Sequence, residues 1–344
     1  MKLGVLDQSP IRAGGTPAEA VAETLELAQL CDRLGYTRYW LAEHHSSDAL
    51  AGAAPEVLIA RVAGLTHHMK VGSGGVMLPH YSSLKVAENF RMLETLFPGR
   101  IDLGIGRAPG SDQRTMRLLA DGKQNWSSAD NYPVQVRDLV AWLHDALPEN
   151  HAGRGIVAQP TGETAPDVWL LGSSEDSAAL AAHFGLPFCY AHFINPERGD
   201  SVTRAYRQHF RPSSLHEKPL SMVAVGSLTA ETDEEAALLA TSREVWSMRL
   251  RTTGNPGPFP TVEEALEVAK NPHAQPLLAA MRRRSIIGAP ATVKAGLEKL
   301  AADYEADEVM VVTICYDFAK RKQSYELLAG AFHLSSPVSG EVSR

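Results

Sequence analysis

Residues 40–45 read WLAEHH: a short apolar run, Tyr39 to Ala42, stops at a carboxylate followed by two adjacent imidazoles, Glu43, His44 and His45. Three kinds of chemistry fit that triplet. The imidazoles can satisfy loop carbonyls at a strand end. They can ligate a metal. One of them can move protons near neutral pH, where histidine titrates with a reference pKa of about 6.5. Metal ligation has the least support, because no HxH or HExxH spacing occurs here and neighbouring residues of a strand point to opposite faces, so His44 and His45 would not share an ion.

Three further stretches carry residues with chemical capacity. GIGRAPG, residues 104–110, approaches the dinucleotide pattern GxGxxG but is one residue too long at its last spacing. Arg107 within it has no apolar role, and a guanidinium can hold an anion bidentately. LLGSSEDS, residues 170–177, ends an apolar run with Ser173, Ser174 and Ser177 at a helix start. Those serines suit ordinary helix capping, with Glu175 and Asp176 favoured by the helix dipole; they equally suit a phosphate cradle of helix amides and hydroxyls. GSGGVMLP, residues 72–79, holds too many glycines for a well-packed strand. Gly74 and Gly75 there mark either a bulge or the close approach of a flat ligand.

The elements that must position these residues alternate along the chain. LGVL is a strand, and Thr16-Pro17-Ala18-Glu19 opens a helix with a capping side chain, a proline at the first helical position and a glutamate to complete a capping box. Gly35 supplies the stop, and strand and helix then repeat to give about eight strands, ending with EVMVVTI and a last helix. Short apolar strands alternating with amphipathic helices predict a parallel sheet covered by helices, and at this strand count a closed (β/α)8 TIM barrel. The domain expected is a single one over residues 1–333, with an insertion between strands 7 and 8 at about 251–284 and a Ser-rich flexible tail at 334–344. In a barrel the chemistry gathers at the carboxyl ends of the strands. Asp7-Gln8-Ser9, Glu43-His44-His45, Arg107 and Ser173-Ser174 each follow a strand there, and Gly74-Gly75 lies within the third strand.

Composition narrows the partners. A formal net charge of −7 offers no basic face for a nucleic-acid backbone. No stretch reaches the length of a membrane span, and the three cysteines, Cys31, Cys189 and Cys315, lie far apart without a CxxC. They are expected as buried thiols of a cytoplasmic protein, with no structural zinc site.

Taken jointly, YWLAEHH, VGSGGVMLP, GRIDLGIGR and LLGSSEDSAALAAHFGLP resemble the bacterial luciferase-like, flavin-dependent monooxygenases, and the resemblance covers nearly the whole chain. It implies a barrel that binds FMN, taken as FMNH2 from a separate flavin reductase, and that uses O2 through a flavin C4a-peroxide to oxygenate a small organic substrate. It implies His44 as the catalytic histidine near the flavin and Glu43 as a residue beside it. Gly74-Gly75 falls where the family commonly has a non-proline cis peptide under the flavin ring. Arg107 matches a flavin-phosphate ligand, and Ser173, Ser174 and Ser177 match the helix start that holds the same phosphate; luciferase has Glu in the place of Ser173. The insertion matches a mobile segment that closes over the flavin, and a homodimer is expected. Two other activities use the same scaffold: hydride transfer linked to a deazaflavin (F420) or NAD(P)H, and flavin binding by a non-catalytic subunit, which the presence of His44 argues against.

Overall fold

The computed structural model describes residues 1–108, 110, 112–120 and 131–336. β1 (Lys2–Asp7), α1 (Pro17–Leu34), β2 (Arg38–Leu41), α2 (Pro55–Ala63), β3 (Lys70–Met77), α3 (Ser83–Leu96) and β4 (Ile101–Gly106) make the first half. After α4 (Gln113–Leu119) and α5 (Asn131–Leu143) come β5 (Asp167–Gly172), α6 (Glu175–Phe184), β6 (Phe188–Ala191), α7 (Gly199–His209) and β7 (Ser221–Thr229). The chain continues through α8 (Asp233–Thr253), α9 (Val262–Ala269), α10 (Gln275–Arg282), β8 (Ser285–Gly288), α11 (Pro290–Asp303), β9 (Glu308–Val312) and α12 (Phe318–Phe332).

Local chemistry sets the element ends where the sequence implied. Thr16 accepts from the Glu19 amide while the Glu19 side chain returns to Thr16, Pro17 begins α1, and Gly35 ends it at a φ of 88°. Eight parallel strands close into a barrel: β1 to β6 pair in sequence, β6 pairs with β7, β7 with β9 and β9 with β1. β8 pairs only with Gly226–Thr229, the far end of β7, and so stands outside the closed ring. β8 lies just after the span expected as an insertion, where no strand is expected from sequence; its four residues are too few to show a strand period.

Alternation along each strand divides two cores. Leu3, Val5, Tyr39 and Leu41 face the shell of helices, whereas Leu6, Trp40, Ala42, Trp169, Met222, Ala224 and Met310 fill the interior. The lower end of the interior is charged. Arg38 Nη1 donates to Asp102 Oδ2 at 2.6 Å, its Nε donates to Glu308 Oε2 at 2.9 Å, and Trp40 Nε1 donates to Asp102 Oδ2 at 2.8 Å. The Arg38 guanidinium also stands 5.0 Å from the Trp169 ring. An ionic plug of this kind is tolerated through its pairing, and here each carboxylate has a donor, while Asp102 Oδ1 has no hydrogen-bond partner among the described residues and burial raises the Asp102 pKa.

Asp7 corrects one expectation about the mouth. Although it ends β1, its parity turns it into the helix shell, where it accepts from Ser9 N at 2.8 Å, Arg321 Nη2 at 2.8 Å and the Tyr39 hydroxyl. Burial alone would raise its pKa, but the Arg321 charge and these donors outweigh burial and hold the carboxyl below its usual range. Asp7 is a structural anchor between β1 and α12.

Residues 251–284, the span expected as an insertion, run from the end of α8 through α10. Its segment 254–261 crosses to the β1–α1 loop, where Phe259 N donates to Ile11 O at 3.0 Å and Ala13 N donates to Phe259 O at 2.7 Å. The Phe259 ring stacks on Trp246 with centroids 4.5 Å apart. At the chain end, the Ser336 hydroxyl donates to Asp32 O at 2.8 Å and Leu334 packs against the core, so 334–336 lie on α1; the rest of the expected tail, 337–344, lies outside the described residues. Cys31, Cys189 and Cys315 are buried free thiols. Among the described residues, no helix is long and apolar enough to cross a membrane.

Candidate active site at the barrel mouth

The alternation of β2, carried past Ala42, places His44 with Trp40 and Ala42 on the interior side and Glu43 with Tyr39 and Leu41 on the other. Backbone bonds fix the segment: His44 N donates to Gly52 O at 2.7 Å and His45 N to Gly110 O at 3.0 Å. Glu43 is 1% exposed, yet it is fully used. It accepts from Met77 N at 2.9 Å, from the Tyr81 hydroxyl at 2.6 Å and from His45 Nε2 at 2.6 Å. Three donors offset the desolvation of a buried carboxylate, and they tie the strand end to the turn that follows β3. The two histidines therefore have different surroundings: His45 is engaged by Glu43, whereas the buried Nδ1 of His44 has no partner among the described residues.

Burial pulls the His44 pKa down to about 4, with the nearby His45 adding in the same direction and the Glu43 charge opposing. At neutral pH the ring is uncharged. A neutral imidazole offers one donor and one acceptor, and a shielded nitrogen without a protein partner is the atom left for a bound molecule.

Gly74 and Gly75 lie beside this triplet on β3. The peptide between them is cis, and the β3–β4 register shifts at that point, so the bulge expected from the glycines is present. A Cβ on Gly74 would stand 2.6 Å from Leu6 Cδ1, and one on Gly75 would stand 2.6 Å from Leu171 Cδ1 and 2.8 Å from Gly104 O. Only glycine fits.

The second cluster is at the start of α6. Ser174 is the N-cap, the Ser177 hydroxyl donates to Ser174 O at 2.7 Å, and the Ser173 carbonyl receives Asn195 Nδ2 at 3.3 Å. The capping function thus absorbs Ser174 and Ser177, while the Ser173 hydroxyl has no protein partner among the described residues. Arg107 approaches Asp176 at 3.7 Å and Arg198 approaches Glu175 at 3.5 Å, all four side chains being exposed. Such solvent-exposed pairs contribute about 0–1 kcal/mol, so both guanidiniums can turn to an anion at the helix start. The two acidic residues act as resting partners for the arginines at its rim.

The structure brings Glu43, His44, Arg107 and the three serines to the carboxyl ends of β2, β4 and β5, with Gly74 and Gly75 in the last half of β3 between them. It adds Tyr81, Asn195 and Arg198, which the sequence reading passed over. Tyr81 was within reach of it, since PHY follows the β3 run directly; Arg198 and Asn195 lie in a loop with no local signal. Among the described residues, no group of three or more His, Cys, Asp or Glu side chains is placed to hold a metal.

Comparison with known proteins agrees with this architecture. The model of the luciferase-like monooxygenase family matches residues 1–307. The chain is 41% identical over 323 residues to a luciferase-like monooxygenase of Escherichia coli, covering 94% of each chain. It is 36% identical over 336 residues to the N-acetyl-S-alkylcysteine monooxygenase of Bacillus subtilis, covering 96% of this chain and 98% of that one. The crystal structure of apo-MsnO8 superposes with a TM-score of 0.89 at 39% identity, over 97% of this chain and 98% of the other. With a family model that spans most of the chain and relatives that match nearly end to end, the protein belongs to the luciferase-like monooxygenases, a family of oxidoreductases.

Proposed function

We propose that the protein is the oxygenase of a two-component system, taking FMNH2 from a separate flavin reductase and using O2 to oxygenate a small organic substrate. One observation carries this reading: the arc of His44, Gly74-Gly75, Arg107 and Ser173 along the ends of β2 to β5. Three strand spacings make that arc about 14 Å. An elongated ligand with an anionic end lies naturally along it.

The residues fit the cofactor. The first-turn amides of α6, the Ser173 hydroxyl and the guanidiniums of Arg107 and Arg198 would hold its phosphate, with Ser174 and Ser177 keeping the helix start in shape. Gly74-Gly75 would face the ring, and Glu43 keeps the neighbouring loop rigid through Met77 and Tyr81. Bound reduced flavin supplies two electrons, so that one oxygen atom of O2 enters the substrate and the other leaves as water. His44, neutral in its shielded place, accepts or returns a proton at Nδ1. The Phe259 segment excludes bulk water from the mouth.

The three unpaired thiols accord with a cytoplasmic setting, and the exposed apolar side chains Val57 on α2 and Met92 and Leu96 on α3 offer a face for a homodimer. The decisive experiment mixes protein and FMNH2 rapidly with oxygenated buffer and follows the return of oxidised-flavin absorbance. Return much slower than for free FMNH2 is expected. Return at the free rate would defeat the oxygenase reading and favour hydride transfer on the same scaffold.

A further inference from the structure

Across the mouth from the α6 site, a small cleft of about 40 Å³ opens to solvent between the far end of β7, β8, α8 and α10. Two arginines line it without an acid to balance them. Arg243 rises from α8 and lies over Gly226, where a Cβ would come within 2.4 Å of its Nη1. Its hydrogen bonds all leave from Nη1, to Val312 O at 3.2 Å and to Ser285 Oγ at 3.4 Å. Arg284 likewise uses only Nη1, toward the carbonyls of Phe193 and Ile194, and its buried Nε has no acceptor. Among the described residues, neither guanidinium has a carboxylate within ion-pair distance. Glu244, the acidic residue of the cleft, is held in a two-pronged pair by Arg282 at 2.7 and 2.9 Å. The hydroxyl of Ser227, another lining residue, is also buried without a partner.

A largely buried Arg243 and a part-exposed Arg284 whose Nε is shielded, both with Nε–Nη2 edges that have no protein acceptor among the described residues, present the paired donors that grip a carboxylate or sulfonate. The rest of the lining is mixed, with three serines beside apolar side chains. Phe193, Met281 and Ile314 line the cleft, and Phe193 and Ile314 belong to the barrel's interior cluster with Trp40 and Trp169. The β6–α7 loop separates this cleft from the α6 site: Asn195 bonds to Ser173 on one side, and the carbonyls of 193 and 194 bond to Arg284 on the other.

We propose that this cleft is the head-group part of the substrate subsite and that it takes an organic anion, its carboxylate or sulfonate head between Arg243 and Arg284 and its apolar body lying outward along Phe193, Met281 and Ile314. The inference rests on the reading of the protein as an oxygenase of a small organic substrate, but its test needs no flavin. Calorimetric titration of the cofactor-free protein compares octanoate, octanamide and inorganic phosphate. Octanoate should bind at least tenfold tighter than octanamide, and Arg243→Gln and Arg284→Gln should each abolish most of that difference while leaving octanamide binding unchanged. Equal binding of octanoate and octanamide by the wild-type protein would overturn the proposal, whatever the variants do. Phosphate binding as tight as octanoate and lost in Arg243→Gln and Arg284→Gln, hence not at the α6 site, would reduce the cleft to a bare anion site and overturn the organic class. FMNH2 binding, titrated separately, decides the flavin reading: if it fails while octanoate binds, only the oxygenase assignment falls.

Discussion

Glu43, His44 and His45 are consecutive in sequence and chemically distinct in the fold. Glu43 is a buried acceptor with three donors, His45 one of those donors, and His44 a neutral ring with an unpartnered nitrogen. The lowered His44 pKa has a consequence for stability. Between its folded value of about 4 and the ordinary value of 6.5, the unfolded chain binds a proton that the folded chain does not. Stability therefore falls as pH drops through that window, by at most about 3 kcal/mol for this one group and less where water reaches the ring. His44→Gln should remove that part of the dependence. Urea melts of both proteins at pH 4.5 and pH 7 check it: the wild-type protein should lose more stability than the variant, and an equal loss would show that His44 does not titrate low.

At the scale of elements, helix starts do much of the positioning. The box at Thr16 fixes how α1 leaves the mouth, and the one at Ser174 and Ser177 shapes the anion site. Glycines do the same for strands: a Cβ on Gly104 would stand 2.2 Å from Ser73 O, so β3 and β4 approach only because that position is bare. The segment 254–261 is held across the mouth by two backbone bonds and by Phe259, which is 1% exposed. Removing that ring forfeits about 3–5 kcal/mol of packing. Most of the loss should be local, because Phe259 belongs to the crossing segment and not to a strand, and covers the edge of the interior cluster. Phe259→Ala should therefore speed tryptic cleavage after Arg251 several-fold and raise hydrogen peroxide release per flavin oxidised, with the barrel still folded by circular dichroism. Unchanged cleavage would show that the strap is held by other contacts.

For the whole molecule, the barrel is closed at the bottom by ions and open at the top for chemistry. Arg38 joins Asp102 on β4 to Glu308 on β9, and so links strands on opposite flanks of β2. Arg38→Met would leave two buried carboxylates without that cation, at a cost of about 3–5 kcal/mol. A thermal melt should show this loss as a lower midpoint for the entire barrel, whereas Arg107→Met, at an exposed site, should leave the midpoint nearly unchanged. Equal midpoints for Arg38→Met and the wild-type protein would mean the plug adds nothing beyond its volume.

Much of this was determined by the sequence alone. Strand and helix periods, the caps at Thr16 and Gly35, and the placement of EHH, GG, Arg107 and the serines at strand ends are local properties, written within a few residues of each other. The barrel follows from their repetition, since eight parallel strands with helical crossovers have few other ways to bury both faces. What lay beyond local patterns was decided by the tertiary structure. Asp7 looked like a mouth residue until strand parity and Arg321, 314 positions away, turned it into the shell. The Arg38 plug joins residues 64 and 270 positions apart, and β8 is too short to announce itself. Arg198 became a partner of the α6 site, and Arg243 and Arg284 became neighbours in one cleft, only because ring closure sets β6, β7 and β9 side by side. Hydrogen bonds and ion pairs act over a few ångströms, and sequence distance does not encode which ångströms those will be.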